Sequence, residues 1–136
     1  MIINYKNLDK KDFLTKYFNI LNTAQPVKSK RLTGTEIMVL IEFLLLPDKF
    51  ENKRFGTLAR KKVLDYLLEG GYTLTRGNLN NKIYSMIEKG YLRKDIDGVI
   101  YPKDFVSHGF KGITSTINNG DNFDIIFRFN NDLQAS

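Results

Sequence analysis

The 136-residue sequence predicts a mainly α-helical protein with a smaller β component, an α+β class. Four segments carry apolar residues at helical spacing, and several of them have recognisable start or stop signals. Two later segments place β-prone residues on either side of glycine-containing turns, which predicts two hairpins. The expected order is therefore helix, linker, three helices and two hairpins.

Composition places the chain among globular proteins of single-domain size. Apolar residues make up 42% of the sequence and charged residues 26%. The most apolar run, residues 37–46, contains Glu42 and is too short to span a bilayer. The amino terminus lacks the basic-then-apolar order of a secretory signal. We therefore expect a cytoplasmic protein that does not contact membranes.

The residue types available for chemistry are few. Cysteine is absent and His108 is the only histidine, so a disulfide framework and a Cys/His metal site are excluded. Asp95 and Asp97 favour a turn over acid–base chemistry, and Gly70-Gly71 lacks the spacing of a phosphate-binding loop. We expect no enzymatic activity, metal or cofactor.

Residues 1–31 predict an N-terminal helix followed by a basic linker. The helix is expected over residues 8–21, because they carry an apolar stripe at helical spacing. That stripe is broad for a surface helix, which favours dimerisation through it over packing back on the next helix. From residue 22 the composition becomes polar, and Lys28, Lys30 and Arg31 make the linker basic.

The second helix begins within LTGTEIMVLIEFLLLP. Thr33 and Glu36 have the spacing of a capping box, and Pro47 ends the helix. Apolar residues lie almost all round its axis, which predicts a central core helix or part of a subunit interface.

The third helix lies within GTLARKKVLDYLLEGG and stops at Gly70-Gly71. Spacing predicts that its inward-facing residues are Leu58, Val63, Tyr66 and Leu67.

The fourth helix is expected over residues 75–89. Its apolar residues converge on one side: Leu79, Ile83, Met86 and Ile87. The opposite side and its flanks carry amide, hydroxyl and cationic groups, although asparagine is a poor helix former. These groups can hydrogen-bond base edges or phosphates. The alternative is that the thirteen asparagines of the chain reflect an A·T-rich genome.

Two hairpins are predicted after the helices. Asp97-Gly98 lies between two short β-prone runs. A second hairpin, within residues 104–136, is expected around Asn118-Asn119-Gly120. In its last strand Phe123, Ile125, Phe127 and Phe129 share one face. A packed inner face is favoured there over a platform, with Arg128, for stacking single-stranded nucleic acid.

The net charge of +6 is unevenly distributed. Residues 53–103 carry eleven basic and five acidic side chains, whereas residues 104–136 carry two basic and four acidic. Clustered positive charge is typical of proteins that bind polyanions. The alternative is a lysine-rich surface that serves only solubility.

Three helices followed by a hairpin form the layout of a winged helix-turn-helix. The residues LTRGNL at 74–79 and MIEKGYL at 86–92 resemble the recognition-helix segment of MarR-like and ArsR-like winged-helix regulators. TGTE at 33–36 is similar to the opening of the preceding helices in that family. The resemblance covers residues 32–103. It implies a winged helix-turn-helix to which residues 1–31 add a helix and residues 104–136 add a hairpin of the same domain.

The resemblance also implies that the fourth helix enters the major groove of double-stranded DNA. The first hairpin would reach the adjacent backbone, and the start of the third helix would lie near a flanking phosphate strand. The implied DNA-binding residues are Arg76, Asn78, Asn81, Lys82 and Ser85 on the fourth helix, Arg93, Lys94 and Lys103 on the hairpin, and Arg60, Lys61 and Lys62 on the third helix.

We therefore predict a homodimeric double-stranded DNA-binding protein that acts as a transcription regulator or replication accessory, without a small-molecule ligand. The alternative is a viral assembly protein, such as a phage virion connector component, that uses the same fold for protein–protein contacts. The bias toward Lys, Asn and Ile suits a phage, and the second hairpin offers an edge for strand pairing. The alternative predicts a ring or larger oligomer in the virion, and the first hypothesis a small dimer in the cytoplasm.

Overall fold

The computed structural model describes residues 2–5, 10–103, 105–106 and 123–126. They are mainly helical with small antiparallel two-stranded sheets, which confirms the predicted α+β class. Short 3-10 turns occupy Lys28–Lys30 and Asp48–Lys53. The main elements are β1 (Ile2–Tyr5), α1 (Lys10–Ala24), α2 (Gly34–Leu44), α3 (Thr57–Glu69), α4 (Arg76–Glu88), β2 (Leu92–Lys94), β3 (Ile100–Pro102) and β4 (Phe123–Ile126).

The chain divides into two compact units. Leu32–Lys103 forms one, with α2, α3, α4 and the β2–β3 hairpin. The described residues before 32 and after 103 form the other. No helix in the described part of the chain is both long enough and apolar enough to cross a membrane.

α2 is the central helix of the Leu32–Lys103 unit. Its apolar residues are buried on several sides, as the sequence predicts, and it contacts both α3 and α4. The capping box is confirmed: Thr33 Oγ1 accepts from the Glu36 N–H at 3.1 Å, and Glu36 Oε1 accepts from the Thr33 N–H at 2.8 Å. Both bonds satisfy backbone donors that a helix start leaves unpaired.

The C-terminal end of α2 is closed by Arg54. Its Nη1 lies 3.0–3.3 Å from the carbonyl oxygens of Phe43, Leu44 and Leu46. The end of a helix leaves carbonyls that the helix itself does not fully satisfy, and a cation there also interacts favourably with the helix dipole. Arg54 is therefore a structural cap, a role the sequence analysis missed.

α3 faces the core through Ala59, Val63 and Leu67, which follow one another at intervals of four residues. The prediction that Leu58 faces inward is wrong, since 75% of its surface is exposed. Neighbouring helical residues point about 100° apart, so placing Ala59 inward turns Leu58 out.

The glycine stops of α3 and α4 have the same backbone geometry. Gly71 and Gly90 have φ values of +84° and +89°, in the left-handed region that glycine adopts without a side-chain penalty. After α3 the Gly71 N–H donates to Leu68 O and the Tyr72 N–H to Leu67 O. The pair of bonds is a Schellman ending, and α4 ends in the same way at Gly90.

The predicted hairpin is present, and β2 and β3 pair antiparallel with Arg93 opposite Tyr101. Its turn is one residue longer than a two-residue hairpin loop. The Asp95 N–H donates to Val99 O, the Gly98 N–H donates to Asp95 O, and Gly98 has a φ of +84°. The loop is therefore Ile96-Asp97-Gly98, with glycine at its left-handed position.

In the other unit, α1 extends to Ala24, three residues beyond the predicted end. Phe13, Leu14, Tyr17 and Phe18 are buried within the chain, and the Tyr17 hydroxyl donates to Phe105 O at 3.1 Å. Dimerisation through this stripe stays a prediction.

The second sheet pairs two strands that lie far apart in the sequence. β1, which the sequence analysis did not predict, runs antiparallel to β4 with Ile3 opposite Ile125. β4 belongs to the predicted second hairpin, but its partner among the described residues is β1. The first half of that hairpin, together with His108, Phe127, Arg128 and Phe129, lies outside the described residues.

Candidate nucleic-acid interface

The outer surface of α4 carries four of the eleven predicted DNA-binding residues. Leu79, Ile83 and Met86 are fully buried on the inner side, as predicted, and Ile87 is half-buried. Arg76, Asn78, Asn81 and Tyr84 are exposed and Lys82 is half-buried. We call these five residues the α4 face.

The α4 face is free to meet a ligand. Within the described part of the chain, no hydrogen bond or ion pair engages the side chains of Arg76, Asn81 or Lys82. The helix start is closed by Thr75, whose side chain accepts from the Asn78 N–H at 3.1 Å. The amide of Asn78 is therefore not needed to cap the helix and faces solvent with Arg76.

A buried ion pair holds the C-terminal end of α4. Lys89 Nζ donates to Oε1 of Glu36, and the side chains are 16% and 1% exposed. The pair connects the C-cap of α4 with the first turn of α2. A cation at a helix C-terminus and an anion at a helix N-terminus each also oppose the local helix dipole.

The Glu36 carboxylate is charged despite its burial. Burial alone would raise the pKa of Glu36, but the hydrogen bonds from Lys89 and Thr33, the nearby Ser85 hydroxyl and the charge of Lys89 hold that pKa below its ordinary value. Oε2 is buried and has no partner within hydrogen-bond geometry among the described residues. The Ser85 hydroxyl is near enough to favour the charged form without satisfying that oxygen.

This arrangement corrects the expectation for Ser85. The Ser85 side chain is half-buried and close enough to Glu36 to help lower the pKa of that carboxyl, so we do not count it in the α4 face. Helical position alone put Ser85 on the outer side, because the sequence does not reveal an acceptor on α2.

The Arg60 side chain also forms hydrogen bonds within the protein. Its Nε donates to Phe55 O at 2.7 Å and its Nη1 donates to Asn80 Oδ1 at 2.8 Å. The guanidinium therefore joins the start of α3 to the flank of α4. It positions α4 and is not the free phosphate contact that the sequence predicts.

The other two cations of the third-helix cluster are exposed. Lys61 and Lys62 lie on the outer side of α3, and Lys62 Nζ is 5.4 Å from the centre of the Tyr66 ring. With Arg60 turned inward, the sequence run Arg60-Lys61-Lys62 presents two positive charges to solvent.

The β2–β3 hairpin extends the α4 face. Lys94 Nζ lies 5.7 Å from the centre of the Tyr84 ring, so the cation and the outer side of α4 form one surface. Arg93 lies 5.4 Å from the Tyr101 ring on the next strand. Successive residues of a strand point to opposite faces, so the side chains of Arg93 and Lys94 do not both lie beside the α4 face. Lys103 is half-buried and follows β3.

The hairpin tip is not cationic. The Asp95 carboxylate accepts from the N–H groups of Asp97 and Val99, both at 2.9 Å, so it stabilises the turn. Asp97 is exposed, and Ile96 is fully exposed at 101%. The tip therefore presents an aliphatic side chain beside a carboxylate, a combination that does not favour a phosphate backbone.

Tyr84 is a candidate site residue that is not among the residues predicted from the sequence. It is 48% exposed at the centre of the α4 face, with Lys94 beside its ring. An aromatic residue on the polar side of an amphipathic helix was the available signal.

Comparison with known proteins gave no match: no protein-family model, no curated protein and no solved structure is significantly similar to the chain. The geometry of the α4 face and its surroundings is therefore the basis for the function proposed below.

Proposed function

We propose that the Leu32–Lys103 unit is a winged helix-turn-helix that binds double-stranded DNA, with α3 and α4 as the helix-turn-helix and β2–β3 as the wing. The proposal makes the protein a transcription regulator or a replication accessory. The order of three helices and a hairpin supports it, as does the contact of α4 with α2, α3 and β2.

One observation carries this proposal: the α4 face is polar, exposed and fixed from behind. Lys89 and Arg60 tie α4 to α2 and to the start of α3, while Arg76, Asn78 and Asn81 remain unengaged on the other side. Solubility alone does not require the side chains of a surface to be held in fixed positions. Preorganised donors and acceptors, by contrast, favour recognition because little conformational entropy is lost on binding.

The mechanism assigns two roles to the surface. Exposed cations neutralise phosphates and release counterions, which supplies affinity without sequence preference. Asn78, Asn81 and Arg76 lie in the first two turns of α4 and can hydrogen-bond base edges in the major groove. The residues proposed for phosphate contact are Lys61, Lys62, Lys82, Lys94 and Lys103.

The test is a binding titration with fluorescent random-sequence duplexes at several salt concentrations. Five or six phosphate contacts predict a slope of log affinity against log salt of roughly −5. The charge-neutral variant Asn81→Ala is the matched control, because it should leave that slope unchanged. Affinity that does not vary with salt, or no binding at low salt, would refute the proposal.

A second candidate function is that of an assembly component that uses the same fold to bind protein. The observation that favours it is the hairpin tip, where Ile96 is fully exposed beside Asp97. A stable ring or large oligomer that persists at low protein concentration and does not bind duplex DNA supports this candidate, whereas a small dimer that binds duplex DNA at low protein concentration supports the first.

A further inference from the structure

An open cleft of about 900 Å³ lies beside the start of α3. Four lysines line it, namely Lys49, Lys53, Lys61 and Lys62, with Asp65 as the acidic member of the lining. Residues 48–65 carry six basic and three acidic side chains. Arg54 and Arg60 are bound within the chain, and the four remaining lysines still outnumber the three acidic residues. The cleft therefore favours an anionic occupant.

The cleft also has apolar walls. Phe50 is half-buried with Lys49 Nζ 5.2 Å from its ring centre, and Leu58 is 75% exposed. An exposed leucine and an aromatic ring between lysines suit an occupant that combines an aliphatic group with a carboxylate. A bare phosphate backbone uses the lysines alone and leaves this apolar surface in water.

The hairpin tip has the complementary chemistry. Ile96 is 101% exposed, so it contacts no other part of its own chain, and the exposed Asp97 follows it. The tip is a defined shape, because the Asp95 carboxylate and Gly98 fix the turn. A fixed tip loses little conformational entropy when it enters a cleft.

We infer that the hairpin tip of one chain docks into the lysine cleft of a second copy. Ile96 packs against Leu58 and Phe50, and Asp97 pairs with Lys61 and Lys62. Such a contact is heterologous, since two different surfaces of the chain meet, and it propagates into a ring or a filament. The contact is small, so the association is weak and depends on protein concentration.

This self-association goes beyond the proposed DNA binding and is in conflict with it at two residues. Lys61 and Lys62 are assigned both to phosphate contact and to Asp97 of the neighbouring copy. Duplex DNA is therefore expected to compete with docking, and the protein exists either as an assembly or on DNA.

The experiment uses sedimentation velocity on three full-length variants, with circular dichroism to establish that each is folded. Ile96→Ser removes the aliphatic side chain from the hairpin tip, and Leu58→Ser removes an apolar side chain from the wall of the cleft. Both positions are exposed, so folding is retained. Leu68→Ser is the matched control, because Leu68 is on the same helix and 61% exposed but does not line the cleft. Protein is examined up to roughly 0.5 mM, where a contact with a dissociation constant of about 0.1 mM is largely formed.

Wild-type protein and Leu68→Ser are expected to form concentration-dependent assemblies larger than a dimer. Ile96→Ser and Leu58→Ser are each expected to weaken the association at least tenfold. A mixture of these two variants can form one productive contact, between the intact tip of the Leu58→Ser variant and the intact cleft of the Ile96→Ser variant. It should therefore give a one-to-one heterodimer that does not grow into larger assemblies.

The inference is overturned if the wild type does not assemble at the highest concentration, if Leu68→Ser weakens assembly as much as Leu58→Ser, or if the mixture forms no heterodimer. DNA affinity of the same variants is measured separately at low protein concentration. Because neither Ile96 nor Leu58 is on the α4 face, a failure of DNA binding in the wild type and a failure of docking are distinguishable.

Discussion

Replacing Lys89 by methionine tests whether the buried ion pair holds α4 in place. Methionine keeps much of the apolar stem of Lys89 but removes the charge that neutralises Glu36, whose side chain is only 1% exposed. Breaking a buried pair from one side generally costs about 3–5 kcal/mol, because an uncompensated charge is left behind.

The structure sets the expected value near the lower end of that range. Glu36 keeps the hydrogen bond from the Thr33 N–H. The carboxylate can also take up a proton, and protonating a glutamate of ordinary pKa 4.5 at pH 7 costs about 3.4 kcal/mol, which limits the penalty. We therefore expect Lys89→Met to lower the free energy of unfolding by about 3 kcal/mol.

Glu36→Gln is the companion variant. Glutamine can keep the capping box with Thr33, and Lys89 is 16% exposed, so its ammonium can reach water. We expect a loss of about 1 kcal/mol for this variant. The double variant should lose less than the sum of the two single losses, since no charge is then buried without a partner.

Urea denaturation followed by circular dichroism measures all four proteins, with unchanged slopes confirming comparable unfolding. If Lys89→Met costs less than about 1 kcal/mol, or if the two substitutions are additive, the pair does not fix α4 as argued.

The same pair makes stability depend on pH. Burial raises the pKa of Glu36, but Lys89, Thr33 and Ser85 outweigh it, so the folded-state pKa lies below the ordinary value of 4.5. The unfolded chain then takes up the proton first as pH falls. The stabilisation is complete above pH 4.5 and is lost as pH falls through the folded pKa. Glu36→Gln should flatten this part of the stability–pH curve, and an unchanged curve would assign the acid sensitivity elsewhere.

Three further predictions concern capping, backbone conformation and recognition. Arg54→Met should lower the free energy of unfolding by about 2 kcal/mol, because three carbonyls at the end of α2 lose their charged donor. Lysine at position 54 should recover little of that stability, since it lacks the planar fork of donors. Equal stability of wild type and Arg54→Met would argue against the cap. Gly90→Ala should lower the free energy of unfolding by about 1–2 kcal/mol, because Gly90 has a φ of +89°. Gly34→Ala is the control in the same urea experiment. A Cβ at position 34 meets nothing within 4 Å, so this variant should be neutral or slightly stabilising. In DNA titrations, Arg76→Ala and Asn81→Ala should each reduce discrimination between sequences by about 1–3 kcal/mol, while Lys61→Ala should weaken all duplexes alike and lower the salt slope by about 1. Similar profiles for all three variants would contradict the assigned roles.

The features predicted correctly from sequence are those fixed by neighbouring residues. The Thr33–Glu36 capping box and the stop of α3 at Gly70-Gly71 depend on contacts within a few positions, so their spacing alone identifies them. The inner side of α4 was also predictable, because Leu79, Ile83 and Met86 are strongly apolar and evenly spaced.

Where prediction failed, either the pattern was weak or the partner was distant. α3 has apolar residues on several sides, and a small Ala59 gave less signal than the larger Leu58, which is exposed. β1 is four residues long and pairs with a strand more than a hundred positions away. No local pattern predicts such a pairing, because strand partners are chosen by the folded chain.

The roles of the cations were the hardest to predict. They also determine how much of the positive charge of the chain is available to a ligand. Arg54, Arg60 and Lys89 contribute three of the eleven positive charges in residues 53–103, yet each is bound to a carbonyl, an amide or a carboxylate of the same chain. Their partners lie between 5 and 53 positions away, so sequence spacing does not distinguish them from surface lysines.

The charge that a ligand meets is consequently smaller than the sequence total, and it is arranged differently. Internal cations hold α4 from behind, while Arg76 and Lys94 remain beside the amides and Tyr84 on its outer side. A substitution at Arg60 should therefore weaken DNA binding by displacing α4 through Asn80, and it should lower stability as well. Arg76→Ala should affect binding alone, because its side chain is exposed. Comparing the two variants for both stability and DNA affinity separates the groups that position the helix from those proposed to contact DNA, and equal losses of stability would show that the distinction is wrong.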